Sequence, residues 1–328
     1  MSLIVLVAIG FSVLLALNVG ANNSGASLAT AYGAGARTKR EALILIAIFA
    51  LLGAVIAGAP VIRTIGSELV PTGILSSNIQ LIIIVLAIGT VFISIANIMR
   101  IPVATTHAIV CAVAGIGLYT NSLNGDKFFE IIKWWVVTPF IAFGINYFIG
   151  RFFYFKILRF LTNNFSESKI FKLFGTFLTI TGIFVAFSAG ANNSANVVAP
   201  LVGIGLFTPT VGAGMAGIGM AVGALLLGGR VLETVGKEIA EICIIRAVSV
   251  ELVAGAILIL AASKGIPVSL AEIITSGIIG FSCAQQGFGI TFRNKHVIRI
   301  AVLWVTIPFV TLGISFYLCK LYFESDLF

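Results

Sequence analysis

Long apolar runs separated by short polar stretches make up almost the whole chain. Each run, as a helix of about 20 residues, is long enough to cross a hydrocarbon layer about 30 Å thick. The pattern predicts an all-α polytopic membrane protein with five crossings in each half. We place these crossings at about 2–36, 42–59, 79–99, 101–120, 131–149, 174–206, 211–229, 239–263, 267–290 and 297–320.

Two features of this pattern leave alternatives open. A helix over 2–36 would be about 52 Å long, so it must break or fold back to fit one membrane crossing. The segments that begin at Pro102 and Pro267 are either crossings or re-entrant hairpins. The first apolar run lacks a basic start and continues directly into a motif that recurs later, so we interpret it as mature protein rather than a signal peptide.

An internal repeat organises the chain. Three short segments recur in the same order after 165 to 170 positions, which predicts two related halves at 1–150 and 173–328, joined by a basic, aromatic, amphipathic connector at 151–172. The recurring pairs are Gly20–Ser24 with Gly190–Ser194, Ile101–Val103 with Ile266–Val268, and Thr138–Phe140 with Ile307–Phe309.

Loop charge indicates that the repeats are inverted. The basic run Arg37–Arg40 follows the first element, whereas its counterpart at 208–210 carries no charge. Conversely, Arg293, Lys295 and Arg299 follow the Pro267 segment, and their counterpart at 126–133 is neutral overall. If both chain termini lie on the outer side of the cell membrane, most Lys and Arg residues lie on its inner side, as the positive-inside rule requires.

Composition excludes several classes of protein. Of the 328 residues, 59% are hydrophobic and 10% charged, with a mean hydropathy of +1.13, so most surfaces face something other than water. The net charge of +8 sits in short loops, which argues against nucleic-acid binding. We find no metal-ligand spacing, nucleotide loop or nucleophile–base set, so we expect no cofactor, no enzyme activity and no ATP-driven pumping. The cysteines are scattered in apolar runs: Cys111, Cys243, Cys283 and Cys319.

The repeated Gly-Ala-Asn-Asn-Ser run predicts a site for a small anion. Polar, Gly-containing residues interrupt an apolar stretch in each half, and in lipid such a break is tolerated only next to protein or a water-filled cavity. A helix that starts at the break would direct free N–H groups towards an anion. Two such breaks related by inversion would meet near the membrane midplane, where many secondary transporters bind substrate. The alternative is that these polar side chains only join helices.

Three ionisable residues are candidates for a proton site. His107 and Glu272 occupy equivalent positions after Pro102 and Pro267, and each is either a proton carrier or a packed side chain. Glu251 lies in the middle of a predicted span, where a carboxylate is costly and therefore a functional candidate. Arg246 is about 140° from Glu251 around an ideal helix, so a direct pair is not favoured. Gln285 and Gln286 are weaker candidates.

These motifs resemble the inorganic phosphate transporter (PiT) family. That family carries a Gly-Ala-Asn-Asp-Val-Ala-Asn-Ala signature and a Pro-Val-Ser-Thr-Thr-His segment in each half. Here Gly190–Asn196 is the better match to the signature, Gly20–Asn23 is the poorer one, and Pro102–His107 matches the second motif closely. Pro267-Val268-Ser269 starts correctly and then departs at Leu270–Glu272. The resemblance covers essentially the whole chain.

The resemblance implies symport of inorganic phosphate with Na⁺ or H⁺ and leaves a homodimer open. It implies that Asn196 lies beside the coupling ion and that the anion site is lined by Asn22, Asn23, Thr105, Thr106, Asn192, Asn193 and Ser269. We add the motif hydroxyls Ser24 and Ser194 as candidates. Coupling candidates beside Asn196 are Glu251, Glu272 and His107.

One departure from the family signature bears on the substrate. The signature Asp is Asn23 in one half and Asn193 in the other, which removes a natural Na⁺ ligand and makes the site less negative. A less negative site favours a more fully charged anion, so sulfate is the alternative substrate. A passive anion channel and a membrane scaffold without transport are further alternatives.

Overall fold

The computed structural model describes residues 2–99, 103–239, 244–293 and 295–324. Within these ranges all regular structure is helical. Ile101, Pro102 and Cys243, which the sequence analysis names, lie outside the described residues, as do the side chains of Lys295 and Arg299.

The first half contains eight α-helices and two π-helical turns. The turns lie at Thr64–Glu68 and Ile149–Phe153. The helices are α1 (Leu3–Ser27), α2 (Ala29–Gly33), α3 (Lys39–Ala57), α4 (Ala59–Arg63), α5 (Thr72–Ser77), α6 (Ile79–Met99), α7 (Thr105–Tyr119) and α8 (Gly125–Phe148).

The connector and second half contain seven more α-helices. They are α9 (Tyr154–Asn164), α10 (Glu167–Gly203), α11 (Pro209–Ile239), α12 (Ile244–Ser263), α13 (Leu270–Gln286), α14 (Phe288–Phe292) and α15 (Lys295–Glu324). The predicted amphipathic connector is therefore largely the helix α9, and it exposes large aromatic side chains such as Phe155 and Phe160.

Eight helical stretches among the described residues are long and apolar enough to cross a membrane. The chain is thus an all-α, multi-pass membrane protein, as predicted. The two remaining predicted crossings correspond to α7 and α13, which have 15 and 17 residues. Such helices are about 22 and 25 Å long, short of a full hydrocarbon layer. Whether these two segments cross or re-enter stays a prediction.

The predicted helix break lies at a different place. The first element does break, but at Leu28, between α1 and α2, while Gly20–Ser24 lies inside α1. The second copy of the motif lies inside α10, a continuous helix of 37 residues. The motif is compatible with a helix because Ser24 and Ser194 donate to carbonyls of their own helix, Gly20 and Ala191 respectively. The Asn side chains instead bond to other helices, so they do not compete with the helix backbone.

Glycines allow matched helices of the two halves to pack closely. A Cβ on Gly20 of α1 would collide with the Met220 carbonyl of α11, and one on Gly190 of α10 would collide with the Ala50 carbonyl of α3. The two contacts are equivalent, since Gly20 and Ala50 each have their counterpart 170 positions later. Small residues allow this approach where no hydrophobic drive joins helices in lipid. Each half therefore packs on the other through the same contact.

Corresponding helices α1 and α10 run antiparallel. Ser12 near the start of α1 donates to the Val197 carbonyl late in α10, at 2.9 Å. At the other end, the Ser27 carbonyl of α1 lies against Gly182, earlier in α10. An inverted repeat requires this arrangement, because inversion reverses the direction of each matched helix. The contacts support the predicted inversion; the inside–outside orientation and the exact boundaries of the halves stay predictions.

Candidate functional site

The two copies of the repeated motif meet at one hydrogen bond. Nδ2 of Asn193 donates to Oδ1 of Asn23 at 3.1 Å, and both side chains are buried. The two residues occupy equivalent positions 170 residues apart. Under the predicted inverted repeat, equivalent residues meet at the axis that relates the two halves, so this pair would mark that axis.

A cavity of about 270 Å³ lies beside this pair. Its wall is mixed, with apolar residues from α11, α12 and α13 and polar residues from seven helices and the residue before α13. The polar residues are Asn22, Asn23, Thr30, Asn97, Thr105, Asn193, Arg246, Glu251, Ser269 and Thr275. A concave, partly apolar site with a few convergent polar groups is typical of a small-ligand site.

Six of the predicted site residues line this cavity. They are Asn22, Asn23, Thr105, Asn193, Glu251 and Ser269. The other seven lie nearby, buried in the helix packing rather than in the cavity wall. They are Ser24, Thr106, His107, Asn192, Ser194, Asn196 and Glu272.

Asn192 and Asn196 each bond to one of the two Pro segments: Asn192 to the segment around Pro267, and Asn196 to the residues that follow Pro102. Asn192 donates to the Ile266 carbonyl and accepts from the Val268 N–H, each at 3.3 Å. Asn196 donates to the hydroxyls of Thr105 at 3.3 Å and Thr106 at 3.1 Å. These bonds fix α10 against α7 and against the backbone that leads into α13.

Asn23 retains hydrogen-bonding capacity at the cavity. Its Oδ1 accepts from Asn193, while its buried Nδ2 has no hydrogen-bond partner among the described residues. A buried amide N–H without a partner is costly, so it calls for a specific explanation such as a functional role. Asn23 is therefore suited to donate to an anion in the cavity.

Glu251 brings a buried carboxyl group to the cavity wall. One of its oxygens accepts from the Thr30 hydroxyl, and the other accepts from the Thr181 hydroxyl at 2.5 Å. Hydroxyl groups can both donate and accept, so these two threonines can bond to either the ionised or the protonated carboxyl. Arg246, five residues earlier on α12, also lines the cavity and donates to Ser282 at 3.1 Å.

His107 and Glu272 form a buried pair. Nδ1 of His107 lies 3.1 Å from Oε1 of Glu272, and each side chain is 4% exposed. The His107 ring packs on Trp135, whose indole N–H donates to the Pro267 carbonyl at 2.8 Å. The two residues occupy equivalent positions of the repeat, so under the predicted inversion this pair would lie at the same axis as Asn23 and Asn193.

Several cavity residues were not predicted from the sequence. Asn97 lies near the end of α6, accepts from Asn22 at 2.9 Å, and donates to the Asn18 carbonyl at 2.9 Å. A lone Asn in an apolar span is a signal that could have identified it. Thr30 lies in α2, beyond the break at Leu28, so its spacing from Asn23 gave no signal. Thr275 carried no signal, because a single Thr is common in membrane helices.

The described residues contain no group of three or more His, Cys, Asp and Glu side chains that could hold a metal ion. A cavity that brings several polar groups together between apolar membrane-spanning helices is typical of a membrane transporter.

Comparison with known proteins identifies the family. Residues 19–319 match the model of the phosphate transporter family (PHO4), and the chain belongs to this family. It is a membrane transporter and not an enzyme. The suspected family resemblance is confirmed.

Two relatives and one solved structure resemble the chain over most of its length. The chain is 38% identical to the sulfate permease CysP of Bacillus subtilis over 98% of this chain and 89% of the relative. It is 31% identical to MJ0630 of Methanocaldococcus jannaschii, provisionally named a phosphate permease, over 91% of each chain. A solved structure, "The sodium-dependent phosphate transporter", has a TM-score of 0.81 at 23% identity and covers 98% of this chain and 99% of its own. That likeness establishes the shared fold.

Proposed function

We propose that this transporter is a sulfate–proton symporter. The observation that carries the proposal is the amide pair at the centre of the protein. Both positions where the family signature has Asp hold Asn, and these two residues meet at 3.1 Å in the wall of the cavity. The site therefore carries less negative charge than two carboxylates would give it.

The donors and acceptors of the site suit an anion that carries no proton. Near neutral pH sulfate presents only acceptors, whereas inorganic phosphate carries at least one P–OH group that needs an acceptor. A carboxylate only accepts, while an amide also donates. The unpartnered Nδ2 of Asn23 is such a donor, and Arg246 adds a guanidinium, the side chain best suited to tetrahedral oxyanions. The 38% identity to a sulfate permease over nearly the whole chain points the same way.

Glu251 is the proposed proton carrier. It lies in the cavity wall, and its two threonine partners can bond to it in either protonation state. A proton taken up by Glu251 would make the site less negative and so favour binding of a dianion. With Asn at both signature positions, the site lacks the carboxylates that would otherwise bind Na⁺.

Phosphate is the second candidate substrate. The family to which the chain belongs is named for phosphate, and the solved structure with the same fold is described as sodium-dependent. The Glu251 carboxylate, if ionised, could accept the hydrogen bond of a phosphate P–OH group. Sodium-coupled phosphate uptake is therefore the outcome against which the proposal is tested.

The test is uptake of labelled sulfate and labelled phosphate into proteoliposomes under an imposed pH or Na⁺ gradient. We expect sulfate to accumulate against its gradient when the pH gradient is imposed, and excess phosphate to compete poorly. Accumulation of phosphate that resists sulfate, driven by Na⁺, would overturn both parts of the proposal. Uptake that never exceeds equilibrium under either gradient would indicate a passive channel.

Two sets of variants separate the two parts of the proposal. Glu251→Gln keeps the size of the side chain but cannot take up a proton, so we expect it to lose accumulation and retain sulfate exchange. The double variant Asn23→Asp with Asn193→Asp restores the family carboxylates, so we expect sulfate uptake to fall and phosphate uptake to rise. Glu251→Gln with full accumulation would reject the proton carrier alone.

A further inference from the structure

Equivalent residues of the two repeats have different surroundings around the cavity. Five side chains of α11 and α13 line the cavity, but their counterparts 170 or 165 positions earlier are buried in the core. The pairs are Val231 with Val61, Val235 with Ile65, Ile274 with Ile109, Thr275 with Val110, and Ile278 with Val113. The cavity therefore exists between α1 and α13, whereas the equivalent space between α10 and α7 is filled.

Hydrogen bonds close the filled space between α10 and α7. Asn196 of α10 donates to Thr105 and Thr106 of α7. The counterparts of these three residues cannot form such bonds, and all three line the cavity. They are Ala26, Leu270 and Ala271.

A second set of bonds differs between the halves in the same sense. Asn192 is fixed to the backbone at Val268, whereas its counterpart Asn22 bonds to Asn97 and lines the cavity. Among the described residues no bond joins Asn22 to Val103, the counterpart of Val268. The counterpart of Asn97 is Ala262, which has no group to hold Asn192 in the same way.

We infer that Asn97 and Asn196 hold the transporter in this conformation. When the two halves exchange their arrangements, the cavity between α1 and α13 closes and the equivalent cavity between α10 and α7 opens. In the exchanged state Asn22 would bond to the Val103 backbone, and Asn192 would line the new cavity. This inference rests on the transporter function proposed above but not on the identity of the anion. Since only one half carries Asn97 and only the other carries Asn196, the sequence itself favours the present state.

The charged loops indicate which side each state faces. The present cavity extends from Asn22 of α1 to Thr30 of α2, towards the basic run Arg37–Arg40, which the sequence predicts to lie inside. The present state is therefore the inward-facing one, and the exchanged state faces outward.

Thiol labelling of two equivalent probes tests the inference. In a background without the native cysteines, Thr275→Cys places a thiol in the present cavity and Val110→Cys places one in the equivalent filled space. A membrane-impermeant maleimide is applied to right-side-out and inside-out membrane vesicles. We expect labelling of the Thr275 probe from the inner side and very little labelling of the Val110 probe.

Removal of the two asparagine side chains should shift the balance. A hydrogen bond that is present in one state only changes the ratio of the states about two- to tenfold. In the Asn97→Ala, Asn196→Ala variant we therefore expect Val110 labelling from the outer side to rise about tenfold or more and Thr275 labelling from the inner side to fall. Asn164→Ala, on exposed α9, is the matched control and should change neither rate.

An added side chain gives a second, independent variant. Ala262→Asn offers Asn192 the partner that Asn97 gives to Asn22, so it should also raise outer-side labelling of the Val110 probe. Unchanged labelling of that probe in both variants, or a rise from the inner side, would overturn the inference. Because no sulfate is needed, failure of the sulfate assignment leaves this test intact.

Discussion

The two copies of the Gly-Ala-Asn-Asn-Ser run are identical in sequence and differ in surroundings. Their first residues, Gly20 and Gly190, make equivalent contacts with a carbonyl of the opposite half. Their third residues, Asn22 and Asn192, do not: Asn22 faces the cavity, while Asn192 is buried and bonded to backbone. The packing contacts of the motif are therefore the same in both halves. The contacts that we infer to change between conformations differ between the halves.

The largest expected effect concerns the symmetric part of this comparison. Gly20→Ala and Gly190→Ala each place a methyl group on a backbone carbonyl of α11 or α3, which cannot turn away as a side chain can. Ordinary overpacking of a core costs about 1–3 kcal/mol of folding free energy, and a clash with backbone should cost more. We therefore expect little folded protein from either variant. The measurement is the monodisperse fraction and the thermal unfolding of the protein purified in detergent.

Gly10→Ala is the control for these glycine variants. A Cβ at Gly10 meets nothing within 4 Å, so this variant should fold like the parent. If Gly20→Ala folds normally while Gly190→Ala does not, the close packing of the two halves is not equivalent and the symmetric part of the comparison is wrong.

The next effect concerns the buried pair of His107 and Glu272. Their side chains are equivalent in position but opposite in chemistry, and they approach to 3.1 Å. Loss of one partner of a buried polar pair leaves the other without its neighbour, at a cost of about 1–3 kcal/mol. We therefore expect His107→Leu and Glu272→Leu each to lower thermal stability, and the double variant to be less destabilised than the sum of the two.

The exchanged variant, His107→Glu with Glu272→His, sharpens this test. If the pair follows the pseudo-two-fold relation, the exchanged residues can meet in the same way and stability should largely return. Additive single effects in the double variant would show that the two side chains do not interact, whatever their separation.

The sequence predicted the architecture well because its signals are physical and local. Apolar length predicted the helices, and the recurrence of Gly20–Ser24 located the centre of the protein, where Asn23 meets Asn193. The helix break at this motif was predicted from the turn preference of Asn and Gly. That preference was overridden because the Asn side chains find partners on other helices, which a single segment cannot reveal.

Contacts between distant segments were beyond the reach of sequence reasoning. Glu251 was a candidate because a carboxylate in an apolar span is costly, but its partners Thr30 and Thr181 lie 221 and 70 residues away. Asn192 and Asn22 were both predicted to bind substrate, since identical motifs gave no basis to distinguish them. Only the packing places one of them in the cavity and the other against Val268.

The smallest expected effect concerns this last difference. Asn192→Ala leaves the buried Val268 N–H without its partner, which should cost about 1–3 kcal/mol. Asn22→Ala removes a half-buried side chain whose bond to Asn97 lies at the cavity, where water can replace it, so it should lower thermal stability less than Asn192→Ala and weaken concentration-dependent anion uptake. Thermal unfolding and uptake of both variants, measured side by side, give the comparison. Equal losses of stability would contradict it, because they would mean that Asn22 is as firmly bonded in the folded protein as Asn192.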